Sequence, residues 1–174
     1  TKLPAGETAH YTATMLETYQ AKYPAPFAVL GIRATTARLL GIDYLPRGAA
    51  PLAPLNEMAE KICAQIERYL DDPGYRFRLA LEYDGTPFQC RVWREIQAIP
   101  IGGVLTYSDI ARRLGTAPRP VGGACGANRI PIVIPCHRVL ATHGLGGFMH
   151  ARAGPPLEIK RWLLRHEGAL PGNA

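Results

Sequence analysis

The chain has 174 residues, of which 47% are hydrophobic and 20% are charged, so we expect a globular protein of one ordinary domain or two small ones. No apolar run is long enough to span a membrane and no signal-peptide pattern is visible, so a cytoplasmic location is expected. Residues 86–174 hold 11 Lys or Arg against 4 Asp or Glu, whereas residues 1–85 hold 9 against 10. Charge alone favours a merely soluble basic surface, and a polyanionic partner for the second half is the sharper hypothesis.

The four cysteines, Cys63, Cys90, Cys125 and Cys136, are scattered along the chain, without a Cys-x-x-Cys pair or nearby paired histidines. This spacing predicts neither a structural zinc site nor a disulfide framework. We therefore expect no bound metal. Cys63 is expected to pack in the core, on the apolar side of a helix.

The first half of the chain predicts a small sheet with one helix. Residues 1–24 predict only a short helix or an irregular lead-in. Residues 27–32 and 37–44 are rich in apolar and β-branched side chains and indicate two antiparallel strands, and the alternation of residues 76–83 predicts a third strand. Apolar side chains at helical spacing predict a helix over residues 55–70, and the simplest architecture packs that helix on the sheet.

A turn rich in Gly and Pro separates this N-terminal domain, residues 1–85, from a C-terminal domain of residues 86–174. The second domain is expected to begin with a helix that ends before Pro100. Thr86 can serve as its N-cap, with Gln89 completing a capping box.

Two further helices are predicted close together in the basic half. Thr106 is expected to cap the first of them, with Asp109 three residues on, and Gly115 suits its C-terminal end. A short turn leads to Arg119, and Pro120 is expected to open the second helix. A helix, a short turn and a helix in a basic region indicate a helix-turn-helix.

The second of these helices is unusually rich in glycine. Residues 121–128 include Gly122, Gly123 and Gly126, each of which costs about 0.5–1 kcal/mol in a helix relative to alanine. Such a sequence favours close approach of another molecule to the backbone, here a nucleic-acid groove. A loop, or tight packing against another helix, remains the alternative.

Residues 130–140 form an apolar run that is interrupted by Pro131 and Pro135 and then delivers Cys136 followed by a histidine and an arginine. The prolines predict a buried, extended and stiff connector rather than a central strand or a helix. A thiol held beside cationic side chains is a candidate nucleophile, because positive charge favours the thiolate. An inert, buried core cysteine is the alternative.

The C-terminal end of the chain supplies a candidate partner for that thiol. Residues 141–156 predict a surface loop, and a helix is expected over residues 157–167. Glu167 stands at the helix end where the dipole disfavours a carboxylate, which predicts a nearby cationic partner. In a nucleophile–base–acid arrangement, a water would connect Cys136 to His137, and Glu167 would orient the imidazole.

Pro-Cys-His-Arg-Val, residues 135–139, resembles the active-site signature of the O6-alkylguanine-DNA alkyltransferases, which repair methylated DNA. The resemblance covers residues 87–140 and resumes at 157–168. It implies an α/β fold, in which a small three-stranded ribonuclease H-like domain precedes a mostly helical domain with a winged helix-turn-helix. It also implies that a thiolate takes the alkyl group from guanine O6 once and irreversibly, without a cofactor, after the base leaves the duplex.

The resemblance assigns roles to individual residues. Arg119 matches an arginine finger that fills the space of the flipped nucleotide, Tyr107 a tyrosine that turns its 3′ phosphate, and Asn128 a brace of the active-site turn. The implied catalytic residues are Cys136, His137, Glu167 and Asn128. The implied DNA-binding residues are Thr106, Tyr107, Arg119, Gly122, Gly123 and Ala124, the last three on a helix that enters the minor groove. The implied substrate-pocket residues are Pro135, Val139 (through its backbone), Phe148 and Met149.

One segment departs from the family pattern. Where the family usually has a tyrosine, a small residue and two glycines as a lid over the guanine, residues 147–156 have about four extra residues and no tyrosine. Phe148 or Met149 could wall the pocket, and His150 could supply the donor to guanine O6. An altered range of alkyl substrates is therefore expected.

The sequence thus predicts a stoichiometric methylated-DNA–protein-cysteine methyltransferase, monomeric in solution. Its expected partner is duplex DNA containing O6-alkylguanine, bound through the minor groove, with the protein nucleoid-associated when on DNA and independent of membranes. A non-catalytic alkyltransferase-like protein that flags lesions is the nearest rival, which the retained Cys136 disfavours. A cysteine hydrolase built on Cys136 and His137 is the rival from another class, which the basic helix-turn-helix disfavours.

Overall fold

The computed structural model describes residues 18–170, and their contacts divide the chain into two compact units. Among the described residues, the first unit contains 18–68 together with Phe77–Tyr83, and the second contains Tyr69–Arg76 and 84–170. No helix in the described part of the chain is long and apolar enough to cross a membrane.

The first unit contains a three-stranded antiparallel sheet in the order β1–β2–β3. The strands are β1 (Ala21–Pro24), β2 (Val29–Ala34) and β3 (Leu39–Leu45). The prediction of a three-stranded sheet followed by a mainly helical chain is confirmed, but its members differ. Ala21–Pro24 is a strand rather than lead-in, because its backbone completes the free edge of β2. The lead-in before residue 18 lies outside the described residues.

The predicted third strand, residues 76–83, is wrong. The segment is extended and alternates in burial, yet it meets β3 at a single parallel bridge between Leu39 and Leu81. The Gln65 side chain, 13 positions earlier in the chain, binds both backbone groups of Arg78 instead. Its Nε2 donates to Arg78 O at 3.1 Å, and its Oε1 accepts from Arg78 N at 2.7 Å. These groups are therefore not available to a neighbouring strand.

Helix α1 (Glu57–Asp71) confirms the amphipathic helix of the first half. Its buried apolar side chains are Met58, Ala59, Ile62, Ile66 and Tyr69, and Gln65 is buried beside them. The predicted start was two residues too early, because Asn56 Oδ1 accepts from Ala59 N at 2.8 Å and so caps the first turn. Leu55 lies before the cap and is 62% exposed, outside the apolar face to which it was assigned.

The second unit is mainly helical, with α2 (Pro87–Gln97), α3 (Tyr107–Leu114), α4 (Pro118–Gly126) and α5 (Pro155–His166). The predicted capping box of Thr86 with Gln89 at α2 is confirmed, as is the predicted N-cap Thr106 at α3, which also forms a capping box with Asp109. The helix-turn-helix formed by α3 and α4 is also confirmed. Its second helix begins at Pro118 rather than Pro120, because proline at the first helical position has no donor to leave unpaired.

The buried connector before Cys136 is turned rather than extended. Ile132 has φ = 73°, and Ile134 N donates to Ile130 O at 2.9 Å, so the chain reverses within the apolar run. The two prolines restrict their neighbours but do not force a straight path. After a short 3-10 turn, Cys136–Arg138, strand β5 (Val139–Leu140) pairs in parallel with β4 (Leu105–Thr106). This pairing joins the cysteine turn to the start of α3.

Candidate active site

Asn128 braces the turn that presents Cys136. Its Nδ2 donates to Ile134 O at 2.8 Å, and its Oδ1 accepts from Ile130 N at 3.0 Å. Cys136 N donates to Ile134 O at 2.8 Å, which tightens the backbone immediately before the thiol. The side chain of one residue therefore fixes both ends of the turn, and the thiol follows directly.

The Cys136 thiol is buried, with the residue 5% exposed. Burial raises the pKa of Cys136 above its ordinary value, because it disfavours the thiolate. A hydrogen bond from Asn128, the charge of Lys160 and the backbone N–H groups of Cys136 and His137 act in the opposite direction. The resting thiol therefore keeps its proton, and its surroundings are arranged to receive a negative charge.

His137 is fully buried and is oriented by Glu167, whose Oε1 lies 2.9 Å from His137 Nε2. An ionised carboxylate can only accept, so Nε2 carries the ring hydrogen and Nδ1 of the neutral imidazole is the acceptor. Burial lowers the pKa of His137, although the hydrogen bond and charge of Glu167 oppose the shift. Nδ1 is buried and has no hydrogen-bond partner among residues 18–170. The imidazole is therefore a neutral base with a free acceptor.

Glu167 is the hub of a buried polar network. Its Oε2 accepts from Arg138 Nε at 2.8 Å, and its Oε1 accepts from Arg138 Nη2 at 2.9 Å and from Tyr69 Oη at 2.7 Å. Burial would raise the pKa of Glu167, but hydrogen bonds from His137 and Arg138, together with the Arg138 charge, outweigh it and lower the pKa to about 2. The predicted cationic partner is thus Arg138, whose Nη1 also donates to Ile99 O at 2.7 Å.

Lys160 places a buried cation near the thiol. Its Nζ donates to three backbone carbonyls, those of Val139 and Leu145 at 2.7 Å and that of Gly147 at 3.0 Å. Burial lowers the pKa of Lys160 to about 8, and a thiolate at Cys136 or Cys125 would act in the opposite direction. The ammonium therefore ties β5 to the following loop and lowers the pKa of Cys136 in turn.

An open cavity of about 750 Å³ lies over the cysteine. Seven of the predicted site residues line it, and its wall comes from α3, α4 and the long loop before α5. These seven residues are Tyr107, Arg119, Gly122, Gly123, Cys136, Phe148 and Met149. A buried thiol at the wall of an accessible cavity, backed by a base and a carboxylate, can attack a carbon atom that enters from outside.

Comparison with known proteins identifies this arrangement. Residues 87–169 match the family model described as "6-O-methylguanine DNA methyltransferase, DNA binding domain". The "Methylated-DNA--protein-cysteine methyltransferase" of Metallosphaera sedula is 32% identical over 149 residues, which are 85% of this chain and 92% of that protein. The chain belongs to this methyltransferase family.

Two further comparisons give the extent of the likeness. A "Probable methylated-DNA--protein-cysteine methyltransferase" of Acanthamoeba polyphaga mimivirus is 48% identical over 95 residues, 53% of this chain and 60% of that protein. The chain therefore spans less than two thirds of the length of that relative. The crystal structure of Mycobacterium tuberculosis OGT in complex with DNA superposes with a TM-score of 0.71 at 31% identity, covering 85% of this chain and 91% of that one.

Other residues singled out from the methyltransferase signature lie around the cavity rather than in its wall. Thr106 is the N-cap of α3, and its Oγ1 donates to Asp109 Oδ2 at 2.7 Å. Ala124 is buried, and its carbonyl accepts from Trp93 Nε1 at 2.8 Å. Val139 is buried with its carbonyl bound to Lys160. Pro135 is buried and begins the 3-10 turn.

The loop in which this chain departs from the methyltransferase pattern forms a tight hairpin beside the cavity. Phe148 and Ala151 exchange two backbone hydrogen bonds of 2.9 Å, and the turn residues Met149 and His150 have φ of 51° and 61°. A Cβ at Gly126 would collide with the His150 ring, so the imidazole rests on the backbone of α4. Close approach therefore explains this glycine, but the approaching group belongs to the chain itself.

Three contributors to the site escaped the sequence reasoning, namely Lys160, Tyr69 and Cys125. The role of Lys160 could have been predicted, because a lysine on the buried face of an amphipathic helix must find hydrogen-bond acceptors inside the protein. Tyr69 lies on the apolar face of its helix, and this position predicted only core packing. Cys125 lines the cavity beside Cys136, and burial raises its pKa to about 12, with Cys136 adding to the shift.

Proposed function

We propose that this chain repairs duplex DNA directly, by transferring the alkyl group of O6-alkylguanine to Cys136 in a single irreversible turnover. The observation that carries the proposal is the Cys136 thiol at the wall of the cavity, backed by the buried His137–Glu167 pair. Membership of the methyltransferase family supports the same reaction.

The reaction requires no cofactor. A sulfur–carbon bond forms between Cys136 and the alkyl carbon while the bond between that carbon and guanine O6 breaks. The proton of the thiol passes through a water molecule to Nδ1 of His137. The guanine leaves as its anion and takes one proton at N1 from solvent, and the His137 imidazolium later releases its proton to solvent, so the protons balance. The product is a thioether, which water does not hydrolyse, so each protein molecule acts once.

The buried network prepares this step. Because burial raises the pKa of Cys136, a base must remove the proton as the bond forms. His137 is a suitable base, since burial lowers its pKa and Glu167 stabilises the imidazolium that forms. Lys160 favours the developing thiolate through its charge.

The DNA-facing side of the proposal rests on the helix-turn-helix. Arg119 is exposed at the start of α4, where it could enter the duplex in place of the flipped base. A Cβ at Gly122 or Gly123 would meet nothing within 4 Å, so this face of α4 presents an open backbone to a minor groove. Thr106 and Tyr107, at the start of α3, would contact the phosphates beside the target.

The flipped guanine would occupy the cavity beside Cys136. Phe148 and Met149 line its hairpin side, and we propose that the buried Pro135 and Val139 support the pocket from behind the cysteine turn. Asn128 holds the turn on which the reaction depends. We assign the N-terminal domain, residues 1–85, a supporting role and residues 86–174 the DNA binding and transfer. We expect the protein to act as a cytoplasmic monomer on the nucleoid.

Intact-protein mass spectrometry tests the proposal. The protein is incubated with a duplex that contains one O6-methylguanine, alongside Cys136→Ser and the matched control Cys125→Ser, which removes the other thiol that lines the cavity. We expect one added methyl group on the wild type and on Cys125→Ser, and none on Cys136→Ser.

The other outcomes decide between the rivals. Tight binding to the lesion duplex with an unchanged mass would overturn the transfer and favour a lesion-flagging protein. Neither modification nor binding would overturn both DNA functions and favour a hydrolase. A methyl group on Cys125 instead of Cys136 would show that the assigned nucleophile is wrong.

A further inference from the structure

Tyr69 connects α1 to the active-site carboxylate. It lies near the C-terminal end of α1, is 1% exposed and belongs to the same compact unit as Glu167. Its hydroxyl donates to Glu167 Oε1 at 2.7 Å, onto the same oxygen that accepts from His137. Burial, followed by the charge of Glu167, raises the pKa of Tyr69, so the hydroxyl remains a donor.

The backbone of Tyr69 is held by the residue next to Glu167. His166 Nε2 lies 2.7 Å from Tyr69 O, and since a carbonyl can only accept, this nitrogen carries the hydrogen. The His166 ring packs edge-on to the Tyr69 ring at 5.1 Å and stacks on Trp162 at 4.9 Å. Two consecutive residues of the α5 end therefore clamp Tyr69, one through its backbone and one through its side chain.

We infer that Tyr69 is a positioning residue that keeps His137 neutral and able to accept a proton, acting through Glu167 Oε1. This role rests on the proposed alkyl transfer. Tyr69 does not touch the thiol or the cavity wall, and its effect on the reaction is transmitted by the carboxylate.

The physical reason is competition for one oxygen. Glu167 Oε1 accepts from Tyr69, His137 and Arg138. Each donor stabilises the carboxylate charge and so makes that oxygen a weaker acceptor for the His137 N–H group. Removal of the Tyr69 hydroxyl leaves Oε1 more basic, so the imidazolium becomes more stable and His137 is protonated at a higher pH.

The other charged groups around His137 act in a known direction. Arg138 and Lys160 lower the pKa of His137 through their charges, whereas Glu167 raises it. Cys136, the remaining titratable neighbour, holds its proton at rest because burial raises its pKa. The resting pair is therefore a neutral thiol and a neutral imidazole, and protonation of His137 sets the acid limit of transfer.

The test compares two tyrosine-to-phenylalanine variants. Tyr69→Phe removes the hydroxyl on Glu167, and Tyr19→Phe is the matched control, because Tyr19 Oη donates to the Asp43 carboxylate at 2.8 Å in the first unit. Single-turnover transfer from O6-methylguanine duplex is measured between pH 5 and 9. We expect the acid limb of the pH–rate profile of Tyr69→Phe to lie roughly 0.5–1 pH unit above that of wild type. Its rate constant on the plateau should stay within about twofold of the wild-type value.

A second measurement does not depend on transfer. The imidazole ¹⁵N signals of His137, assigned by their loss in His137→Gln, are followed from pH 4 to 9. We expect a higher titration midpoint in Tyr69→Phe than in wild type and Tyr19→Phe. Coincident midpoints, or no titration of His137 in any protein, would overturn the inference. If the His137 midpoint is higher in Tyr69→Phe as expected but the wild type transfers no alkyl group, only the proposed function is overturned.

A purely structural role for Tyr69 predicts a different pattern. Loss of a buried hydrogen bond alone would lower the thermal midpoint and reduce transfer by the same factor at every pH. Such a uniform loss, with an unmoved acid limb, would also overturn the inference.

Discussion

Two clusters in this molecule are built from the same three kinds of side chain, namely a tyrosine, a carboxylate and an arginine. In the first unit, Asp43 Oδ2 accepts from the Tyr19 hydroxyl at 2.8 Å and is paired with Arg33. The side chains of this ion pair are 31% and 39% exposed, so water screens their interaction. Their mutual attraction therefore contributes little to stability.

The second cluster joins Tyr69, Glu167 and Arg138 with similar hydrogen-bond lengths, but its carboxylate side chain is 0% exposed and its arginine 10%. A charge without water depends entirely on its protein partners, so the loss of one partner is costly. The added partner is His137, which makes the carboxylate part of the chemistry. Burial and the added histidine thus separate a candidate active site from a surface ion pair.

The largest difference between the two clusters is expected when the charge of each carboxylate, Glu167 or Asp43, is removed. Glu167→Gln should destabilise the protein by about 3–5 kcal/mol, because it leaves the Arg138 guanidinium buried opposite a neutral amide. Asp43→Asn, the matched change in the exposed cluster, should cost no more than about 1 kcal/mol. Urea unfolding followed by circular dichroism gives both values.

The same pair of variants separates stability from chemistry. Transfer by Glu167→Gln at a temperature where it is folded should fall by about 10²–10⁴-fold, because His137 loses the group that orients its ring and stabilises the imidazolium that forms. Asp43→Asn should transfer at the wild-type rate. Equal stability losses in the two variants would show that burial does not distinguish the clusters.

Local signals in the sequence were sufficient for two helix starts, those of α2 and α3. Thr86 and Thr106 each reach a backbone N–H three residues on, so both N-caps could be predicted. The carboxylate at Glu167 was predictable as a group in need of a cation, because its position at a helix end is unfavourable. That Arg138 supplies the cation depends on the fold of the cysteine turn.

Features that depend on distant contacts could not be predicted. The alternation of residues 76–83 is genuine, but the Gln65 amide binds Arg78 where a strand partner was expected. The turn at Ile132 places a β-branched residue at positive φ, which the surrounding core must enforce. The bond from Tyr69 to Glu167 joins residues 98 positions apart, and no helical periodicity reports such a contact.

The pH dependence of stability provides a second, smaller difference, between wild type and Glu167→Gln. The pKa of Glu167 falls from its usual 4.5 to about 2 on folding. A lowered pKa means that the stability due to ionised Glu167 is fully present above about pH 4.5 and is lost as the pH falls towards 2. The stability difference between wild type and Glu167→Gln should therefore shrink by about 3 kcal/mol across this window. A difference that stays constant from pH 5 to 2.5 would contradict the buried, ionised carboxylate.

The smallest expected contrast concerns the two arginines. Arg138→Lys keeps the charge but cannot supply both hydrogen bonds to Glu167 and the third to Ile99 O, so about 2 kcal/mol of stability should be lost. Arg33→Lys in the exposed cluster should change stability by less than about 1 kcal/mol. Urea unfolding at pH 7 resolves the difference. If both lysine variants match wild type, charge alone holds Glu167, and the planar fork of Arg138 has no separate role in orienting it.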